Sequence, residues 1–277
     1  MTEHPIIFLA KRYPQLSLPI REGMRETELY KDCVLRGKPT ELSPCFSFCE
    51  KDTFTVEATP AGDAEILYLH SREDFEHAVM ALGRRCEPSV IPASMGASVI
   101  GGLINWEKLR PHMESEEDFA VFTSDKRNYT DSIIILSSGG YSAVTADKIG
   151  IDEENWLEKS LAIRKYHELA HFVSQRLFPK NREALRDEIV ADMTGIIAAF
   201  GSYRADYARL FLGIEGEIYR EGGRLQNYAD GTDVEQLAEK ANMIVEELEK
   251  AVSYLSNTDI FDILQYVEEN RIGMICE

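Results

Sequence analysis

His167-Glu168-Leu169-Ala170-His171, followed by Asp187-Glu188-Ile189-Val190-Ala191-Asp192-Met193-Thr194-Gly195, decides how this chain is read. Two imidazoles one helical turn apart share a helix face, roughly 6 Å apart at Cβ, and can bind one Zn²⁺ between them. That geometry requires a helix. The flanking Leu157–Phe178 run is rich in helix formers and carries apolar residues at Ile163, Tyr166, Ala170, Val173 and Leu177. It contains no Gly or Pro, and Pro179 ends it.

The second stretch supplies a partner helix. Asn181 is a good N-cap, Glu183 suits the positive helix start and Gly201 suits the position past the end. Helices over about 157–178 and 182–200, joined by a very short turn, should lie antiparallel. At about 1.5 Å per residue, His171 and Glu188 both stand about 11–12 Å from that turn. His167 and Asp192 both stand about 17–18 Å from it. Glu188 is thus expected to complete a three-ligand zinc site with His167 and His171, and Asp192 to accept the free ring N–H of His167. Glu168, beside a ligand, is placed as a general base for an activated water. Gly195 is expected to let the two helices approach closely.

On these residues the chain resembles the gluzincin metallopeptidases, whose thermolysin branch carries H-E-x-x-H followed by E-x-x-x-D, often as N-E-x-x-x-D-x-x-G. His167, Glu168, His171, Glu188, Asp192 and Gly195 match, with Asp187 where that branch often has Asn. The chain also resembles, more weakly, the ImmA/IrrE-like regulatory metallopeptidases, which often carry H-E-L-x-H. Their second helix usually reads E-x-x-A-x-x-F-A, where this chain has Asp-Met-Thr-Gly. The resemblance covers about 157–201, and residues 1–130 carry no family signature. It implies an α+β, zincin-like fold and zinc-dependent hydrolysis of peptide bonds. Two other readings stay open: a regulatory metalloprotease cutting one protein partner, and a non-catalytic zincin-fold protein that retains its zinc. The presence of Glu168 speaks against the latter, because a structural zinc needs no base.

Composition narrows the setting. The net charge of −18, spread along the 277 residues, repels phosphate backbones and argues against nucleic acid as a partner. Five cysteines at irregular spacing argue against a disulfide framework, and no apolar run reaches the length of a membrane span. A cytoplasmic protein acting on a peptide or protein substrate is expected; the oligomeric state is not legible. Cys45-Phe-Ser-Phe-Cys49 reads as a strand rather than a metal clip.

The remaining pattern divides into a mixed α/β region with a small sheet, 1–150, and a helical metal-binding region, 151–277, expected to form one compact domain overall. Residues 1–60 read as irregular apart from a strand at Thr53–Ala58. Ala64–Leu69 reads as a strand, Arg72–Arg84 as a helix capped by Ser71, and Val99–Leu109 as helical around Asn105-Trp106. Ser132–Leu136 is the clearest strand, and Ser137-Ser138-Gly139-Gly140 is expected to turn it back into Tyr141–Thr145. By resemblance, this hairpin is the candidate edge for pairing with a substrate backbone. Helices are expected over 203–219, over 233–255 behind the box Thr232-x-x-Glu235, and over 259–270. A zinc peptidase also needs a donor to the developing oxyanion. Arg224 and Tyr228 are the first candidates, with Tyr203, Arg204 and Tyr207 next.

Overall fold

Ile133-Ile134-Ile135-Leu136, all buried, forms the centre of a four-stranded mixed sheet. A computed structural model describes residues 3–93, 95–180, 182–216, 218–255 and 258–274. The strands are β1 (Thr53–Glu57), β2 (Ala64–Leu69), β3 (Ala97–Ile104) and β4 (Thr130–Ser137), in the order β1-β2-β4-β3. β1 pairs antiparallel with β2, β2 parallel with β4, and β3 antiparallel with β4. The chain is α+β, 54% helical. It divides into a unit of Met1–Glu57 with Ala64–Ser138 and a unit of Ala58–Asp63 with Gly139–Glu277.

In the first unit, α1 (Pro5–Arg12) and α2 (Arg72–Gly83) bury Ile6, Leu9, Phe75, Val79 and Leu82 in one core with Leu67, Ile100, Ile133 and Ile135. Ser71 caps α2 by accepting from the amide of Asp74. Five expectations are corrected here. β4 lies between two strands, so it offers no free edge, and its continuous apolar run is the mark of a strand covered on both faces. It is followed not by a returning strand but by a 3₁₀ turn at Tyr141–Ala143. Val99–Ile104 is strand, not helix, because it pairs with β4; only Trp106–Leu109, capped by Asn105, is helical. Within 1–60, Pro5–Arg12 is a helix seated in the core, and Cys45–Cys49 contains no strand.

In the second unit, α3 (Glu153–Leu177) starts at its cap Asp152 and α4 (Ala184–Phe200) at Glu183. The expected cap Asn181 lies outside the described residues. The buried stripe of α3 runs through Trp156, Ser160, Ile163, His167, Ala170 and Ser174 at helical spacing, whereas Leu177 is exposed. Gly195 of α4 lies against Ile163: a Cβ there would come within 2.6 Å of the Ile163 carbonyl oxygen, so the close helix contact requires glycine. Arg186, fully buried, bonds Glu268 at 2.9 Å and the Ile272 carbonyl at 2.9 Å, locking the first turn of α4 to the C-terminal segment.

The expected helix over 203–219 is shorter: α5 (Ala205–Leu212) stops at Gly213, whose φ of 84° breaks the helix, and a two-stranded ribbon, Ile214–Glu215 with Ile218–Tyr219, follows. α6 (Val234–Val252) is capped by Asp233 rather than by Thr232, and α7 (Ile260–Glu269) by Asp259. Among the described residues no helix is long and apolar enough to cross a membrane, and Cys33, Cys45, Cys49 and Cys86 are free.

Candidate metal centre

The antiparallel pairing of α3 and α4 brings His167, His171 and Glu188 together, with their donor atoms within 4.8 Å of one another. The two Nε2 atoms are 3.1 Å apart. Glu188 places one carboxylate oxygen 3.5 Å from His167 Nε2 and the other 3.3 Å from His171 Nε2. Donors arranged tetrahedrally about Zn²⁺ at about 2.05 Å stand roughly 3.3 Å apart. The donor set and its spacing fit such an ion.

Asp192, fully buried one turn beyond Glu188, lies level with His167 and accepts from its Nδ1 at 2.8 Å. A proton on Nδ1 leaves the Nε2 lone pair facing the cluster, the tautomer that a ligand imidazole needs. Glu168 is half-buried beside His167, and among the described residues it makes no hydrogen bond or ion pair.

The electrostatics favour positive charge where the donors converge. Burial opposes charge on His167, but hydrogen bonds to Asp192 and Glu188 outweigh it and lift the ring to about 10. Burial likewise works against ionised Glu188, yet His167 and His171 hold it far below the usual carboxylate range. A divalent cation answers the same demand that, without it, a proton on His167 meets.

Arg224 and Tyr228 sit on one 3₁₀ turn, Arg224–Tyr228, at the spacing that separates Asp192 from Glu188. Tyr228 donates its hydroxyl to Glu188 at 2.8 Å, and Arg224 pairs with Asp192 while donating to the Tyr141 hydroxyl at 2.8 Å. The turn thus grips both carboxylates of α4. Arg224, expected as an oxyanion donor, commits two of its nitrogens to the Tyr141 hydroxyl and to Asp192. Among the described residues the second-rank candidates make no hydrogen bond or ion pair to His167, His171 or Glu188. The buried hydroxyl of Tyr203 has no partner among the described residues, Arg204 pairs with Asp206, and Tyr207 donates to the Ile149 carbonyl.

Sequence reasoning missed Tyr141. Its hydroxyl donates to Asp192 at 2.6 Å and lies 3.0 Å from His167 Nδ1. No local signal marks it, since the contact joins residues far apart in the chain.

Fold and site together define a class: an α+β protein with a His-His-Glu cluster, able to hold a metal ion, on an antiparallel helix pair. Residues 2–270 match the model of a family of unknown function, DUF7005, and the chain belongs to that family. No curated protein and no solved structure matches it.

Proposed function

We propose that this protein is a zinc-dependent metallopeptidase of the zincin type, with His167, His171 and Glu188 as ligands and Glu168 as general base. One observation carries the reading: three donors at tetrahedral spacing, with Asp192 on the outer nitrogen of His167 and an unpaired carboxylate, Glu168, alongside. Zn²⁺ held there supplies Lewis acidity toward a peptide carbonyl and lowers the pKa of water. Among the described residues no fourth His, Cys, Asp or Glu joins the cluster, as suits a site open to water and substrate rather than one closed for structure.

The chain's own residues divide the remaining work. Glu168 takes the proton of the attacking water and returns it to the leaving amine. Tyr228, already at Glu188, is assigned as the donor to a developing oxyanion. Arg224 is assigned instead to holding Asp192. The net charge of −18 favours basic peptides over acidic ones.

Elemental analysis of the purified protein, together with mass-spectrometric profiling of a peptide library, tests this. About one zinc per chain is expected, with cleavage that a chelator stops and Glu168→Gln removes. Cleavage surviving in Glu168→Gln, or protein purified and reconstituted without zinc uptake, overturns the reading.

A further inference from the structure

We propose that Tyr141 is a positioning residue for the metal centre: its hydroxyl fixes Asp192 in the orientation from which Asp192 holds the ring of His167. The proposal rests on reading His167 as a metal ligand.

The hydroxyl also lies 3.0 Å from His167 Nδ1, and with that nitrogen protonated toward Asp192 it has one way to point. It accepts from Arg224, whose guanidinium can only donate, and it donates to Asp192, whose carboxylate can only accept. Asp192 therefore receives three donors: the Tyr141 hydroxyl at 2.6 Å and His167 Nδ1 at 2.8 Å on one oxygen, and Arg224 on the other. A fully buried carboxylate lacking these partners is strongly disfavoured, so the three hold it in one rotamer.

Tyr141 is in turn held by the helix that carries the ligands. Arg164 donates to the carbonyls of Gly139 and Gly140 at 2.6 and 2.8 Å, and the Ser160 hydroxyl accepts from the Tyr141 amide at 3.0 Å. Ser160, Arg164 and His167 occupy successive turns of α3, so the anchor of Tyr141 and the ring it serves belong to one rigid element. The tyrosine ring is buried edge-on against Phe211, at 5.1 Å between centroids, and phenylalanine can keep that packing.

Tyr141→Phe therefore removes the hydroxyl alone. Zinc affinity, measured by competition with a chromophoric chelator, should fall about 10–100-fold, the effect of losing an outer partner of a ligand. The visible absorption of the Co²⁺-substituted protein should shift, while the metal-free protein keeps its circular dichroism. Tyr203→Phe, which deletes a buried hydroxyl with no partner among the described residues, should leave affinity within about twofold and the Co²⁺ spectrum intact. Should Tyr141→Phe fail to fold, Arg224→Lys keeps the charge beside Asp192 but cannot span both partners, and should also weaken zinc and shift the spectrum.

Wild-type affinity and an unchanged Co²⁺ spectrum in Tyr141→Phe overturn the proposal. If the wild-type protein takes up neither metal, the metallopeptidase reading fails instead. The positioning role is then decided by the His167 Nδ1 proton in metal-free protein. Exchange about tenfold faster in Tyr141→Phe sustains the role, and an unchanged rate overturns it.

Discussion

Each unit contains a buried tyrosine whose hydroxyl joins an arginine-bearing network to carboxylates, half-buried in the first unit and fully buried at Asp192 in the second, and the two networks end differently. In the first unit, Tyr13 reaches Glu65 at 3.4 Å and Asp131 at 3.1 Å. Arg12 bonds Glu65 and Glu107, Lys108 bonds Asp131 at 2.5 Å, and Asn105 donates to Asp131 at 2.6 Å. Permanent donors reach every carboxylate, and burial with the nearby acids keeps the Tyr13 hydroxyl protonated. In the second unit, Arg224 and Tyr141 answer Asp192 in the same fashion. Glu188 does not meet the same fate: among the described residues its partners are Tyr228 and two imidazole nitrogens, with no lysine or arginine. A network closed by fixed cations holds structure. One left with convergent lone pairs and a bare carboxylate has work for a cation from outside.

The sharpest break of that contrast is to remove a convergent donor. His167→Ala or His171→Ala should abolish stoichiometric zinc, as elemental analysis after dialysis would reveal; full retention in both variants would remove the site. Glu188→Ala should follow closely, with a loss well beyond the ~10–100-fold that an outer partner accounts for. Equal affinities for Glu188→Ala and Asp192→Asn, compared by chelator competition, would erase the distinction between ligand and support.

Glu168→Gln separates chemistry from binding. It should keep zinc and fold while lowering kcat by roughly 10²–10⁴. Zinc lost from this variant would make Glu168 a ligand. Asp192→Asn comes next, with zinc bound about 10–100-fold more weakly but still bound. The smallest effect belongs to the closed network. Tyr13→Phe should leave zinc content unchanged and cost about 0.5–1.5 kcal/mol of stability by removing one hydrogen bond to half-buried carboxylates that keep their other donors, which a thermal melt of the metal-free protein measures. A fall in zinc affinity in Tyr13→Phe would mean that the two networks are not separate in function.

How much was legible in the chain follows from the range of each interaction. Helical spacing and a short turn are local, so the sequence alone determined that His171 is level with Glu188 and His167 with Asp192, and the distances reproduce that register. It also determined that Gly195 sits where helices press together, and that Ser132–Leu136 is a strand. Which strands flank β4 was not local information: an apolar run states that both faces are covered, but not which partners pair with its edges. For the same reason Tyr141, 51 residues from Asp192, was not named at all, and Arg224, 32 residues from it, was named for a different partner. Their destinations were decided by tertiary packing, because a buried carboxylate must collect its donors from whatever segments the fold brings within reach.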